Sequence, residues 1–366
     1  MPHPPKPRWR WLKRLAIALV FLVAAAASPI FYVETQCRVT TPASAAPSAF
    51  PIDDPHYRRA EGDSYLTYPE WYIVHAYADL AAVARQKSES AFDYLASVTG
   101  FWRSLCVNTR AAESVGPVTL DQRVTDYIIG DSFSAEMLII GAYERSLGAL
   151  TAWARGDAHT AEDDFALRIA DDYAAFLQQA AWYQYPFFPT LERFWRETPF
   201  GQGSLARSAE RRLALTLEYG GKGLYAIPIG ALAGASPADL TIQSVVEGLT
   251  EEDLAADPRI RRLRDLGGGA TLIETPRYQE FTKILLFLTE RGRRVLEIAG
   301  NRHILTTIVA PANVKTPPEG RELFSLPIQS QPDKRRLGVD VEVEKLADFI
   351  RAVARQGGEF EHAYDY

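Results

Sequence analysis

Glu136, Glu144 and Glu218 are the residues of this chain whose type and setting could do chemistry. On a helical wheel Glu144 falls inside an apolar sector made by Phe133, Met137, Ile140, Leu147 and Thr151, with Glu136 on its flank near Tyr143. A carboxylate on an apolar helix face is costly unless it is paired or protonated. The two could act as general acid and base, or ligate a metal with a further acid such as Glu218. The competing expectation, and the favoured one, is structural ion pairing with a core cation, for which Arg211, Arg212 and Lys222 are candidates. The Glu-x-x-His repeat of carboxylate di-metal bundles does not occur, so no metal or other cofactor is expected.

A nucleophile is offered by Gly130-Asp-Ser-Phe-Ser134, directly after Tyr127-Ile-Ile129. These five residues resemble the nucleophile block of GDSL-type hydrolases, in which a serine follows a strand and opens a helix. The resemblance implies a hydrolase using Ser132, served by a histidine base and oxyanion donors. That family places Gly-x-Asn-Asp and Asp-x-x-His blocks after the serine. Here the only Asp-x-x-His runs from Asp53 to His56, ahead of it, and no Gly-x-Asn-Asp occurs. Read from its neighbours, Ser132 or Ser134 is the N-cap of the helix that follows. His75 has no second histidine one turn on, and His56, His159, His303 and His362 are scattered. Gly267-Gly-Gly269 precedes a strand, so it is a turn and not a phosphate loop.

Trp182, Tyr183, Tyr185, Phe187, Phe188, Phe194, Trp195 and Phe200 crowd into nineteen residues, interrupted by Pro186, Pro189 and Pro199. Such rings could dock at a membrane interface, line an apolar ligand pocket, or fill a core between two subdomains. The last reading is favoured because buried aromatics dominate ordinary cores. Gly223 to Ala235 is apolar but too short to span a bilayer, and reads as a buried helix.

The elements that must position these residues begin with a membrane segment. Leu15 to Val33 is uncharged and apolar, and at about 1.5 Å per residue it reaches roughly 28 Å, near the thickness of a bilayer core. Lys6, Arg8, Arg10, Lys13 and Arg14 precede it, and this positive-inside bias keeps residues 1–14 in the cytoplasm and exports the rest. A retained single-pass anchor in the cytoplasmic (inner) membrane is preferred to a cleaved signal peptide, because Pro29-Ile-Phe-Tyr-Val33 prolongs the apolar run. Without those five cations the chain has 35 basic against 46 acidic residues, about −11, which disfavours nucleic acid as a partner. The basic runs Arg261, Arg262, Arg264 and Lys334, Arg335, Arg336 are expected to be solvated faces of a helix and a loop. Cys37 and Cys106 both fall on the exported side, where an oxidising compartment permits a disulfide.

Residues 34–56 are expected to be a Pro/Ala-rich tether, 57–236 a helical subdomain and 237–366 an α+β subdomain. In the first, Thr67-Tyr-Pro-Glu70 predicts a capping box ahead of a helix to Arg85. Helices are predicted at 90–107, 120–128, 134–155, from Thr160, and at 206–219, the last ended or bent by Gly220-Gly221. In the second, strands at 241–246, 270–274, 295–299, 303–310, 323–329, 338–343 and 359–364 build a mixed or antiparallel sheet. Helices at 250–266, 276–291 and 344–356 flank it, and Gly300-Asn301-Arg302 is expected to turn a hairpin. The class is α+β. The resulting expectation is a membrane-anchored, exported (periplasmic or extracellular) binding or scaffold protein, whose partner is a lipid or an envelope protein. Its alternatives are an exported hydrolase using Ser132 or the carboxylate pair, and a spacer without ligand.

Overall fold

The computed structural model describes residues 8–39, 50, 52, 54–157, 159–232 and 240–365. Helix α1 (Arg8–Gln36) contains the one stretch among the described residues, Trp11–Gln36, that is long and apolar enough to cross a membrane. Its last turns are packed on the domain. Val33 and Cys37 are fully buried, and Cys37 is disulfide-bonded to Cys106, with their Cα atoms 5.0 Å apart. Residues 40–49, the heart of the expected tether, lie outside the described residues. Both flanks are held: the Val39 N–H donates to Glu113 Oε2 (2.6 Å), and Ile52 is buried against the first sheet.

The helical part comprises α2 (Asp63–Leu66), α3 (Tyr68–Gln86), α4 (Tyr94–Val115), α5 (Leu120–Tyr143), α6 (Ala149–Arg155), α7 (Ala161–Leu177), α8 (Phe187–Glu197) and α9 (Leu205–Leu232). Three expectations are corrected here. Thr67 is itself helical and its hydroxyl donates to Asp63 O (3.0 Å), so the box with Glu70 does not form. The predicted break before Ser134 is absent. Gly130 sits inside α5 because a Cβ there would lie 2.6 Å from the Phe101 ring and 2.8 Å from Trp102; the glycine serves close packing on α4, not a turn. A π-helical turn at Glu144–Gly148 then carries α5 into α6, making one rod. Gly220-Gly221 likewise does not interrupt α9, which also contains Pro228. The helix predicted from Thr160 does form, opened by a Thr160–Asp163 capping box.

Beyond residue 240 the chain forms two four-stranded sheets. β1 (Thr241–Glu247), α10 (Glu251–Ala256), β2 (Arg261–Gly267), β3 (Ala270–Pro276), α11 (Tyr278–Glu290) and β4 (Arg294–Ile298) give the order β2-β3-β1-β4. β5 (His303–Pro311), β6 (Gly320–Pro327), β7 (Lys334–Glu342), α12 (Leu346–Arg355) and β8 (Glu359–Ala363) give β6-β7-β5-β8. All pairings are antiparallel, so the fold is α+β with antiparallel sheets. Residues 261–267, expected to be helical, are instead an edge strand whose arginines guard it against pairing with other chains. The turn at Gly300-Asn301-Arg302 joins β4 of one sheet to β5 of the other and is no hairpin.

The two sheets trace the same path. The first follows the β-α-β-β-α-β course of the ferredoxin-like motif, and the second keeps its strand order but has no helix between its first two strands. The bulges coincide too: Leu296 and Glu361 in the last strands, Leu263 and Leu323 in the second. One core unites the inner faces of both sheets with α11 and α12, through Ile273, Phe281, Ile304, Val339 and Phe349. The outer face of the first sheet covers Ile52. That of the second packs on the helical part, where Leu305, Phe324 and Tyr364 join Tyr68, Phe101 and Phe133.

Candidate functional site

The three flagged carboxylates fall in two separate networks. At the π turn, Glu144 Oε1 accepts from Arg211 Nη1 (2.8 Å), and Arg211 Nη2 also meets Glu89 (3.0 Å). Burial opposes the Arg211 charge, but Glu89, Glu144 and Glu210 outweigh it and hold it well above its ordinary value. Beside it Arg207 donates to Asp163 (2.8 Å), Glu210 (2.9 Å) and the Gly148 carbonyl (3.0 Å). Glu136 and Glu218 instead share Lys222 Nζ, at 2.7 and 2.8 Å, inside a cage of Tyr77, Tyr173 and Tyr219. Glu136 and Glu144 are therefore each committed to a cation of α9. No group of three metal-ligating side chains occurs among the described residues.

Ser132 lies mid-helix and exposed, and its hydroxyl donates to Ile129 O (3.0 Å). Ser134 accepts from Trp102 Nε1 (2.9 Å). Neither caps a helix; Thr119 does that for α5. Among the described residues no hydrogen bond joins Ser132 to a histidine.

The aromatic cluster is largely core, but core within the helical part and not between subdomains. Tyr185 and Phe187 are buried against Tyr173 of α7 and Tyr219 of α9, Trp182 stacks on Tyr225 (5.4 Å), and Tyr183 is half-buried. Phe188 and Trp195 face outward. Trp195, Phe200, Ala209, Arg212, Leu213 and Thr216 line an open apolar groove of about 580 Å³. The Arg212 guanidinium stands over both rings, 4.9 Å from Trp195 and 5.0 Å from Phe200, and donates to Glu162 (2.9 Å). Such a concave, mostly apolar lining with one charge is what small-ligand sites share.

A second polar centre was invisible in sequence. Matching the registers of the two sheets sets Val245 against Thr307, Ala270 against Arg336, Leu272 against Gly338 and Leu296 against Glu361. Where the first copy is apolar, the second is polar or open, on the face that meets α3. The bulge turns Glu361 toward that helix. Arg336 donates to it twice (2.6 and 2.7 Å), and His75 Nε2 lies 3.6 Å from its Oε2 and 3.4 Å from the Tyr364 hydroxyl. His362 stacks on Trp71 with centroids 3.7 Å apart, and its Nδ1 lies 3.1 Å from Thr282 Oγ1 and from Gln279 Oε1. Burial, helped by Arg336, pushes His75 down to about 3. Burial and His75 likewise push His362 down to about 3. Burial opposes the Glu361 charge, but His75 and Arg336 hold its carboxyl down to about 2. At neutral pH both imidazoles are uncharged and the carboxylate is locked to arginine. The centre is a polar lock between α3 and β8.

No family model matches the chain, and no curated protein or solved structure does either. Among the described residues the polar centres are thus a lock, a buried ion network at the π turn and a half-buried one at Lys222, and the groove at Trp195 is open to solvent.

Proposed function

We propose that the chain is a single-pass, cytoplasmic-membrane-anchored binding protein whose domain is exported and whose ligand is lipidic. The basic flank ahead of α1 supports that orientation, and the disulfide fits an oxidising compartment. The groove at Trp195 carries the ligand assignment. Its walls are apolar, and the Arg212 guanidinium over them, paired through Nε with Glu162, adds one polar edge, which suits an acyl chain. Because the groove is open, the ligand lies across the surface and is not enclosed as in a carrier.

Native mass spectrometry of the full chain released from detergent tests this. The wild type is expected to retain a lipid adduct that Leu213→Glu loses while keeping its fold. A wild type without an adduct, or an adduct untouched by Leu213→Glu, overturns the assignment and leaves the spacer reading.

A further inference from the structure

We propose that the outward face of the α5–α6 rod lies against bilayer lipid beside the anchor. The inference rests on reading α1 as a membrane span, and it narrows the exported part of the domain to what lies outside the α5–α6 face. Its starting point is the rigid mounting of that helix. Glu34 Oε1 accepts from Arg123 Nη1 and from the Tyr127 hydroxyl, each at 2.7 Å, Arg38 pairs with Glu113, and the disulfide closes the same contact. A domain clamped this way has a fixed attitude to whatever α1 crosses.

The attitude follows from the register of the contact. Tyr32 meets Cys106, the Gln36 carbonyl accepts from Arg110, and Arg38 meets Glu113, so α1 and α4 climb side by side in one direction. α5 returns antiparallel to α4, with Gly130 against Phe101 and Gly141 against Tyr94. From Tyr127 onward the α5–α6 rod therefore heads back toward the side from which α1 comes.

Along that return Ile128, Ala135, Ile139, Ala142, Leu150 and Trp153 are exposed and uncharged, with Ser132 and Ser146 exposed among them and Arg145 exposed beside them, turned toward Asp93. Ile139 is 69 % exposed and Trp153 81 %. Of the acids of the rod, Glu136 turns to Lys222 and Glu144 to Arg211, while Asp131 stands on the flank of the stripe. From Ile128 to Trp153 the stripe runs roughly 38 Å at about 1.5 Å per residue, enough to cover a hydrocarbon core of about 30 Å. An indole stands at its far end, as Trp11 does near the far end of α1, and indoles favour the interface. Elsewhere the helical part exposes Asp164, Asp172, Glu192 and Arg196. A soluble surface rarely carries an apolar strip of this extent, and its continuity with the anchor selects lipid as the cover.

The test uses the full chain in phosphatidylcholine liposomes. No free cysteine occurs among the described residues, so an environment-sensitive NBD label can be placed at Leu19→Cys, Ile139→Cys, Leu150→Cys or Asp172→Cys in turn. Doxyl-labelled lipid is expected to quench the label at 19, 139 and 150 but not at 172, and aqueous iodide to do the reverse. Iodide quenching at 139 and 150 with lipid quenching at 19 overturns the proposal while sparing the anchor. Labels at 139 and 150 shielded from both quenchers, with cross-linking between copies, assign the face to a second chain and overturn it too. Loss of lipid quenching at 19 sinks the anchor reading itself, and the proposal with it.

Discussion

Glu361 and Arg336 form a buried ion pair where the first sheet has Leu296 and Ala270 at matching positions. A buried pair repays its desolvation only with good geometry, yet removing one partner strands the other charge, at about 3–5 kcal/mol. Glu361→Leu alone should therefore destabilise by that order, and adding Arg336→Ala should recover most of the loss, as chemical denaturation of the solubilised chain would measure. A double variant no more stable than the single one would refute this reading. His75 gives a pH signature. Its folded pKa is depressed to about 3 from an ordinary 6.5, so its contribution is present above 6.5 and fades as pH falls toward 3, because only the unfolded chain takes up the proton. Glu361 adds the same sign between its ordinary 4.5 and about 2. His75→Gln should lessen the fall in melting temperature between pH 7 and 5; an unchanged slope would count against it. At this scale the sequence exposed Glu136, Glu144 and Lys222, because their company is set by helical spacing and one neighbouring helix. Glu361, Arg336 and His75 lay out of reach, since only strand register and a bulge bring them together.

Glycine is where reading elements from sequence went astray. Gly130 and Gly220-Gly221 look like helix ends, but the cost of glycine inside a helix, about 1 kcal/mol against alanine, is readily overridden by packing. The two sites should respond oppositely to alanine. At Gly130 a new methyl would strike Phe101 and Trp102, and overpacking of this kind costs about 1–3 kcal/mol. At Gly221 nothing lies within 4 Å, so the substitution should gain about 0.5–1 kcal/mol. Thermal melts of Gly130→Ala and Gly221→Ala decide it, and a stabilised Gly130→Ala would show that α4 and α5 do not approach as closely as described. Strands with β-branched runs, such as His303–Pro311, were legible. β2 was not, because its arginines carry no alternation. The apolar stretch from Gly223, expected to be buried, instead leaves Leu224 and Ile227 exposed on α9. Composition alone does not say which side of a helix finds a partner.

For the whole molecule, the α+β class and the apolar first helix were readable from composition and pattern. The matching course of the two sheets was not, because it lies in strand order and bulge placement and not in the side chains. The mounting of α1 was equally hidden, although the cysteines hinted at it. Their bond closes a span of 69 residues, for which loop-closure entropy gives about 4 kcal/mol. Cys37→Ser with Cys106→Ser should lower the unfolding midpoint of the solubilised protein accordingly; an unmoved midpoint would mean that Glu34 and Arg38 suffice. One further feature bears on how the chain is made. Ser64 donates to the carbonyl of Tyr364, 300 residues away, and the Leu305 N–H donates to that same serine (2.9 Å). Helices α2 and α3 are synthesised long before β8, so this side of them waits for that strand, and contacts of such separation close slowly. Translation halted before Glu359 would leave Ser64 and Leu305 without the Tyr364 contact and that side of the interior open, a substrate for proteases and not a shorter working protein.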